Sequence, residues 1–319
     1  MKMIRIALLL IAFLVQGLSM ETLTPTKSFQ AKGDVQDIFY DKNKNILYAA
    51  NSNGSVELFD VESSLVIKTI ELPTIIDFIG DVMPSKIYSI DVIEEKLLIV
   101  SQGMKGYRNL WIYENDTLTK IFDIDKKYFL QKASFIDKDR ILFALLSNQV
   151  GLYNLKTEEN EYFMQLSHSS FSHFKVSVDK KSFASTDESG IVRLFNTQDG
   201  IIIKTLEALN LDKVYQVDYK NDVILTAGQD RKAVVYPTNA QAYVLHFDFL
   251  LYSCALSTNS TYGAVSYNEK NEILVFDIAN KRYLYNLIGQ KATLTQILFI
   301  SEKELIASSD SNIINFWKF

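Results

Sequence analysis

At intervals of about forty residues the chain returns to one short pattern, a few apolar residues ending in an aromatic one. The first copy is Ser55-Val56-Glu57-Leu58-Phe59-Asp60. The others are Leu110-Trp111-Ile112-Tyr113, Val150-Gly151-Leu152-Tyr153-Asn154, Val192-Arg193-Leu194-Phe195-Asn196, Ala233-Val234-Val235-Tyr236, Ile273-Leu274-Val275-Phe276-Asp277 and Ile314-Asn315-Phe316-Trp317. With Phe59, Tyr113, Tyr153, Phe195, Tyr236, Phe276 and Trp317 taken as equivalent, the successive spacings are 54, 40, 42, 41, 40 and 41 residues. A unit of that length, with an aromatic near the end of its third strand, is the period of a four-stranded propeller blade. Seven copies predict an all-β, seven-bladed β-propeller forming a single domain over residues 20–319. That repeat overrides the two-domain expectation raised by a length of 319 residues.

The local pattern agrees. Apolar runs of four to eight residues alternate with polar ones, are rich in Ile, Val, Tyr and Phe, and are divided by Asn, Asp, Ser and Gly. Blade one is predicted to use Asp37 to Tyr40, Ile46 to Ala50, Val56 to Phe59 and Val66 to Ile70, with Asn53-Gly54 as the tight turn before its third strand. Blade two uses Ile87 to Val92, Lys96 to Ser101, Leu110 to Tyr113 and Leu118 to Phe122. Blade three runs from Lys132 to about Leu166, blade four from Phe171 to Leu206, blade five from Val214 to Phe247 and blade six from Tyr252 to Leu287. Blade seven supplies Leu294 to Phe299, Glu304 to Ser308 and Ile313 to Trp317, and then the sequence stops. An incomplete last blade would leave an unpaired edge at an apolar seam. Leu23 to Gln30, ahead of blade one, is therefore predicted to be the missing outer strand, so that the two ends of the chain close the ring.

Residues 1–19 have the parts of a secretory signal: Lys2 and Arg5, an apolar run from Ile6 to Val15, and small residues at Gly17 and Ser19. Ten apolar residues are too few to span a bilayer core, which takes roughly 20 in a helix. Removal of this segment predicts a mature chain without a membrane span, exported to the periplasm. The net charge is −5, and loss of Lys2 and Arg5 takes it to −7. Diffuse acidity of this kind argues against nucleic acid as a partner, since phosphate-binding surfaces need clustered Lys and Arg. The one cysteine, Cys254, lies in the apolar run Leu250 to Leu256 and is expected to be a packed side chain, since a lone thiol forms no internal disulfide.

Four-stranded blades, an aromatic late in the third strand, and Asn-Gly or Ser-Gly turns before it resemble the WD-repeat propellers. The best single match is Leu225-Thr226-Ala227-Gly228-Gln229-Asp230 followed by Val234-Val235-Tyr236. His168 stands where that family often places a histidine, but blade four lacks the tryptophan that such a histidine would engage, and Gly-His pairs are absent. More narrowly, a signal segment followed by degenerate blades, in a chain rich in Ile, Lys, Asn, Phe and Tyr, resembles the periplasmic nitrate reductase accessory proteins of the NapL type. The resemblance implies an exported, non-catalytic component supporting periplasmic nitrate respiration, with reductase components as protein partners.

The 54-residue spacing marks the one break in the period, at Leu72 to Lys86. This insertion joins the outer strand of blade one to the inner strand of blade two, on the face around one mouth of the channel. Ile75, Ile76, Phe78, Ile79, Val82 and Met83 there either cover a binding surface or fold down as a channel plug, the second being favoured because large exposed apolar patches are uncommon. The turn Ser101 to Asn109 opens on the same face, and its Tyr107 and Arg108 are residue types favoured as interface anchors. Ile75, Ile76, Phe78, Ile79, Met83, Tyr107 and Arg108 are the candidate partner site.

No catalytic, cofactor or metal site is predicted. Asp123-Ile124-Asp125 and Asp137-Lys138-Asp139 lack the ligand spacing of a calcium loop, and His168, His173 and His246 form no zinc signature. Phosphate-loop, dinucleotide-binding and Gly-x-Ser-x-Gly patterns are absent. The expected function is thus a binding or scaffold propeller. The competing classes are a lactonase- or esterase-type propeller with a metal over the channel, and an envelope assembly protein.

Overall fold

β-branched and aromatic residues at alternate positions favour strands that can bury both faces between neighbouring sheets. In the computed structural model, which describes residues 20–319, that tendency produces seven blades, each built on four antiparallel strands. The predicted signal segment 1–19 lies outside the described residues. Blade one comprises Val35–Asp41, Ile46–Asn51, Ser55–Asp60 and Val66–Glu71. Blade two comprises Ile87–Ile93, Lys96–Gln102, Arg108–Glu114 and Thr117–Phe122. Blades three to six follow in the same order, ending at Gln165, Leu206, His246 and Leu287. The first strand of each blade is innermost, and these strands contact one another around the channel.

The core is not central. It is divided into seven apolar clusters, one at each interface between neighbouring blades. The repeated aromatic supplies a large part of each: Phe59, Tyr153, Phe195, Tyr236, Phe276 and Trp317 are buried. Blade two differs. Tyr113 is half-buried there, and Trp111, two residues earlier on the same strand face, is buried and donates its indole N–H to Ser101 Oγ at 2.9 Å.

The ring closes by joining the chain's ends, but the stretch expected as one strand is two. Lys27–Gln30 pairs antiparallel with the third strand of blade seven, Ile313–Lys318, and completes that blade. Glu21–Leu23 instead adds a fifth, parallel strand to blade six beside Tyr283–Leu287. Pro25 lies between them, where a residue without a backbone donor suits a crossing from one blade to the next. Gly289 packs against Pro25 with a φ of +116°, and a Cβ there would lie 2.9 Å from the proline ring. At the seam Phe29 is fully buried, meets Phe59 edge-on at 5.6 Å between ring centres, and joins Val35, Leu47, Ile306 and Ile314 in one cluster.

Candidate functional site

Connections between blades, and turns between second and third strands, all emerge on one face of the ring. The Leu72 to Lys86 insertion rises there as a short hairpin, with Ile75–Ile76 paired to Val82–Met83. Its turn is built by Asp77, whose Oδ1 accepts the backbone N–H groups of Ile79 and Asp81 at 2.9 Å each. Gly80 completes it with a φ of +98°, a conformation costly for other residues. The base is anchored: Ser85 Oγ donates to Pro73 O at 2.6 Å, Gln102 N donates to Lys86 O at 2.7 Å, and Ile75 is buried.

The tip is not anchored. Phe78 is 93% exposed, Val82 70%, Ile79 69% and Ile76 51%. The expected plug is therefore not formed: Phe78, Ile79, Val82 and Ile76 are left facing solvent, while Ile75 at the base is buried. Full exposure of a phenylalanine forgoes roughly 2 kcal/mol of burial. Met83 is half-buried, with Sδ 3.9 Å from Gln102 Nε2.

Tyr107 and Arg108 sit in the neighbouring turn but differ in freedom. Tyr107 packs against Phe129 at 4.8 Å between ring centres. Arg108 is engaged inside the fold: its guanidinium lies 3.7 Å from the centre of the Tyr88 ring and donates to Leu130 O of blade three. Burial pulls its pKa below the usual arginine value. Arg108 thus ties blade two to blade three, and Tyr107 is the residue of the pair that faces outward with partial exposure.

The sequence reading missed what continues this surface. Met104, Phe129 and Leu146 are exposed, and Leu146 N donates to Phe129 O at 2.9 Å, so the apolar band passes from the blade-two turn to blade three. It ends at a cavity of about 480 Å³ with Tyr128, Phe129, Leu146 and Phe163 in its wall. The signal was available in Tyr128-Phe129 and Leu146, apolar residues placed in connections where polar ones are usual.

Several buried polar residues elsewhere have structural partners. Asp187 is buried in blade four and accepts hydrogen bonds from Asn148 Nδ2, Ser167 Oγ, Ser189 and Arg193, the last at 2.7 Å. Burial works against its charge, yet these hydroxyls and the guanidinium hold the carboxyl below its usual pKa. This network replaces the one in which His168 would have served, and His168 is exposed. His173 lies in the innermost strand of blade four, where Nδ1 accepts from Val217 N of blade five at 3.4 Å. Burial, with Lys132 and Lys175 adding to it, drives its pKa well down, so the ring is neutral. Cys254 is buried with Sγ near Gln216 O and Leu225 O, and burial pushes the thiol well up, the state of a packed side chain rather than a nucleophile. No group of three or more His, Cys, Asp or Glu side chains among the described residues is arranged to hold a metal ion. No described helix is long and apolar enough to cross a membrane.

No family model and no curated protein matches the sequence. Among solved structures, the β-propeller domain of Myceliophteria thermophila Cps50 (Swd1) is similar, with a TM-score of 0.74 and 14% identity over 92% of this chain and 99% of that one. The chain has the fold of a seven-bladed β-propeller. At that identity the likeness concerns shape alone. As 1876 solved chains match the fold, function has to be argued from what distinguishes this ring, chiefly its hairpin.

Proposed function

We propose that the protein is an exported, non-catalytic binding propeller that docks a protein partner through the hairpin face and acts as an accessory of periplasmic nitrate reductase. The observation that carries the binding reading is the hairpin itself, four exposed apolar side chains on an anchored base. A rigid ring orders such a surface before binding, and an exposed aromatic flanked by aliphatic side chains is a suitable central anchor. Phe78, Ile79 and Val82 form the tip, while Tyr107, Phe129 and Leu146 extend the contact to blade three.

The non-catalytic part is supported by the commitment of the inner-strand acids. Asp37, Asp91 and Asp218 each accept the backbone N–H of the next blade, at 2.8, 2.7 and 2.8 Å respectively. They act as bolts between blades, and the oxygens so used are not free for metal ligation. Export and the nitrate assignment are supported by the signal-like segment and the resemblance of the whole chain to NapL-type proteins.

The test is nitrate reductase activity and abundance in the periplasm of cells lacking the gene. Lower activity or abundance, restored by the wild-type gene but not by Phe78→Asp, is the expected result. Unchanged values would remove the nitrate reading and leave the partner to be found by cross-linking from the hairpin.

A further inference from the structure

The channel mouth opposite the hairpin leads to a cavity of about 240 Å³. Its position follows from Ser177, Val178 and Lys180 in its wall, which belong to the turn between the first two strands of blade four. Four lysines line it, Lys132, Lys175, Lys180 and Lys220, together with Asp37 and Asp91. In an acidic protein this is a local reversal of charge.

The four lysines outnumber the two carboxylates of the wall, and those carboxylates are turned to backbone and hydroxyl donors. Asp37 accepts Ile38 N and Ile90 N at 3.1 and 2.8 Å, Asp91 accepts Ser134 Oγ and Phe135 N at 2.5 and 2.7 Å, and Asp218 accepts Tyr219 N and Leu256 N at 3.0 and 2.8 Å. Lys220 is satisfied, donating to Leu256 O at 2.6 Å and pairing with Asp218 at 3.3 Å. Lys175 has only a 3.9 Å contact with the same Asp218. Lys132 and Lys180, both half-buried, have no hydrogen-bond or ion-pair partner for their ammonium groups among the described residues.

Partly desolvated cations in excess of the nearby carboxylates are costly, and a bound anion would supply the missing charge. We propose that this cavity binds a small multivalent oxyanion of the phosphate type, held by Lys132, Lys175 and Lys180. The volume admits one such ion with a few waters, and three ammonium groups from blades three and four match the several oxygens of a tetrahedral anion. The depressed pKa of the neighbouring His173, caused first by burial and then by Lys132 and Lys175, is in keeping with the uncompensated positive potential there. This site is independent of the hairpin and of the partner reading.

Inorganic phosphate is the probe, titrated into the purified protein by calorimetry and followed by thermal melting against chloride at equal ionic strength. The expected result is saturable binding of one phosphate per chain and a Tm increase that chloride does not reproduce. Lys175→Met and Lys180→Gln are expected each to weaken binding by about tenfold, as loss of a charge-assisted contact should. Lys204→Met, on the exposed outer strand of blade four, is the control and should bind as wild type. Lys180 lies on a surface turn, so its variant keeps the test valid if Lys175→Met fails to fold. Absence of a phosphate-specific shift in the wild-type protein, or equal affinity in the Lys180 and Lys204 variants, would overturn the proposal.

Discussion

The ring departs from its own repeat in two places, and they are opposite in kind. At the closure seam the chain leaves the blade pattern to run Glu21–Leu23 along blade six and Lys27–Gln30 along blade seven, and there the backbone groups are paired and Phe29 is fully buried. At the hairpin the chain leaves the pattern with residues just as apolar, yet Phe78 is almost fully exposed. The first irregularity removes a sheet edge that would otherwise attract other chains. The second creates an apolar surface that the fold itself does not use. Apolar content and backbone pairing therefore do not separate the two departures; burial of the side chains does.

The largest expected effect tests the seam. Deleting residues 20–30 removes two strands and the Phe29 contacts, and the ring is expected to lose cooperative melting or to aggregate through the exposed edge of blade seven. Deleting 20–24 alone, which takes only the parallel strand on blade six, should leave a cooperative transition at a lower Tm. If both deletions melted like the full chain, the seam would be no more than a docked tail.

A matched pair of substitutions comes next. Phe29→Ala is expected to destabilise by about 3–5 kcal/mol in urea titrations, the usual range for a phenylalanine lost from a packed core. Phe78→Ala should change stability by no more than about 0.5 kcal/mol, as is usual for exposed sites. The combination of Phe78→Asp with Tyr107→Ala should abolish partner association while costing only about 1 kcal/mol, most of it from the Tyr107–Phe129 contact. A loss at Phe78 as large as at Phe29 would make the hairpin part of the core.

The smallest effect separates the seam from an ordinary blade interface by pH. Gln296 Oε1 accepts Ile38 N at 2.8 Å across the blade seven to blade one interface, whereas His173 plays this part between blades four and five. His173 is held neutral in the fold, with its pKa driven by burial well below that of a free histidine. The unfolded chain binds a proton there that the folded chain refuses, so this residue's contribution is intact above pH 6.5 and declines as the pH falls below it. Melting across pH 7.5 to 5.5 should show that decline in wild type and less of it in His173→Gln, where an amide oxygen can accept from Val217 N as Gln296 and Gln216 do for their neighbours. An unchanged pH profile in the variant would show that His173 does not titrate on unfolding as described.

The architecture was legible because a blade is a local device. Its four strands are consecutive, its turns are marked by residues such as Asn53-Gly54, and its aromatic recurs at one position, so blade count and most strand bounds can be read along the chain. Trp111 shows the limit, as either it or Tyr113 fits the period and only packing against blade one chose between them. The candidate site was half legible. The break in spacing located the insertion, but nothing in the order of residues says whether Phe78 turns inward or outward, and the structure leaves it 93% exposed.

Arg108 makes the same point from the other direction. As a residue type it suits an interface, and nothing nearby in sequence says that Tyr88 and the carbonyl of Leu130 will occupy it. The sequence alone determined the period, the seven blades and the use of the N-terminal stretch to close the ring, since these follow from strand periodicity and from the need to pair an edge. Only the tertiary structure decided that Pro25 divides that stretch between two blades, that the hairpin is exposed, and that lysines far apart in the chain converge on one cavity. Those outcomes depend on which groups meet across the ring, and distance in space is the one quantity that the order of residues does not carry.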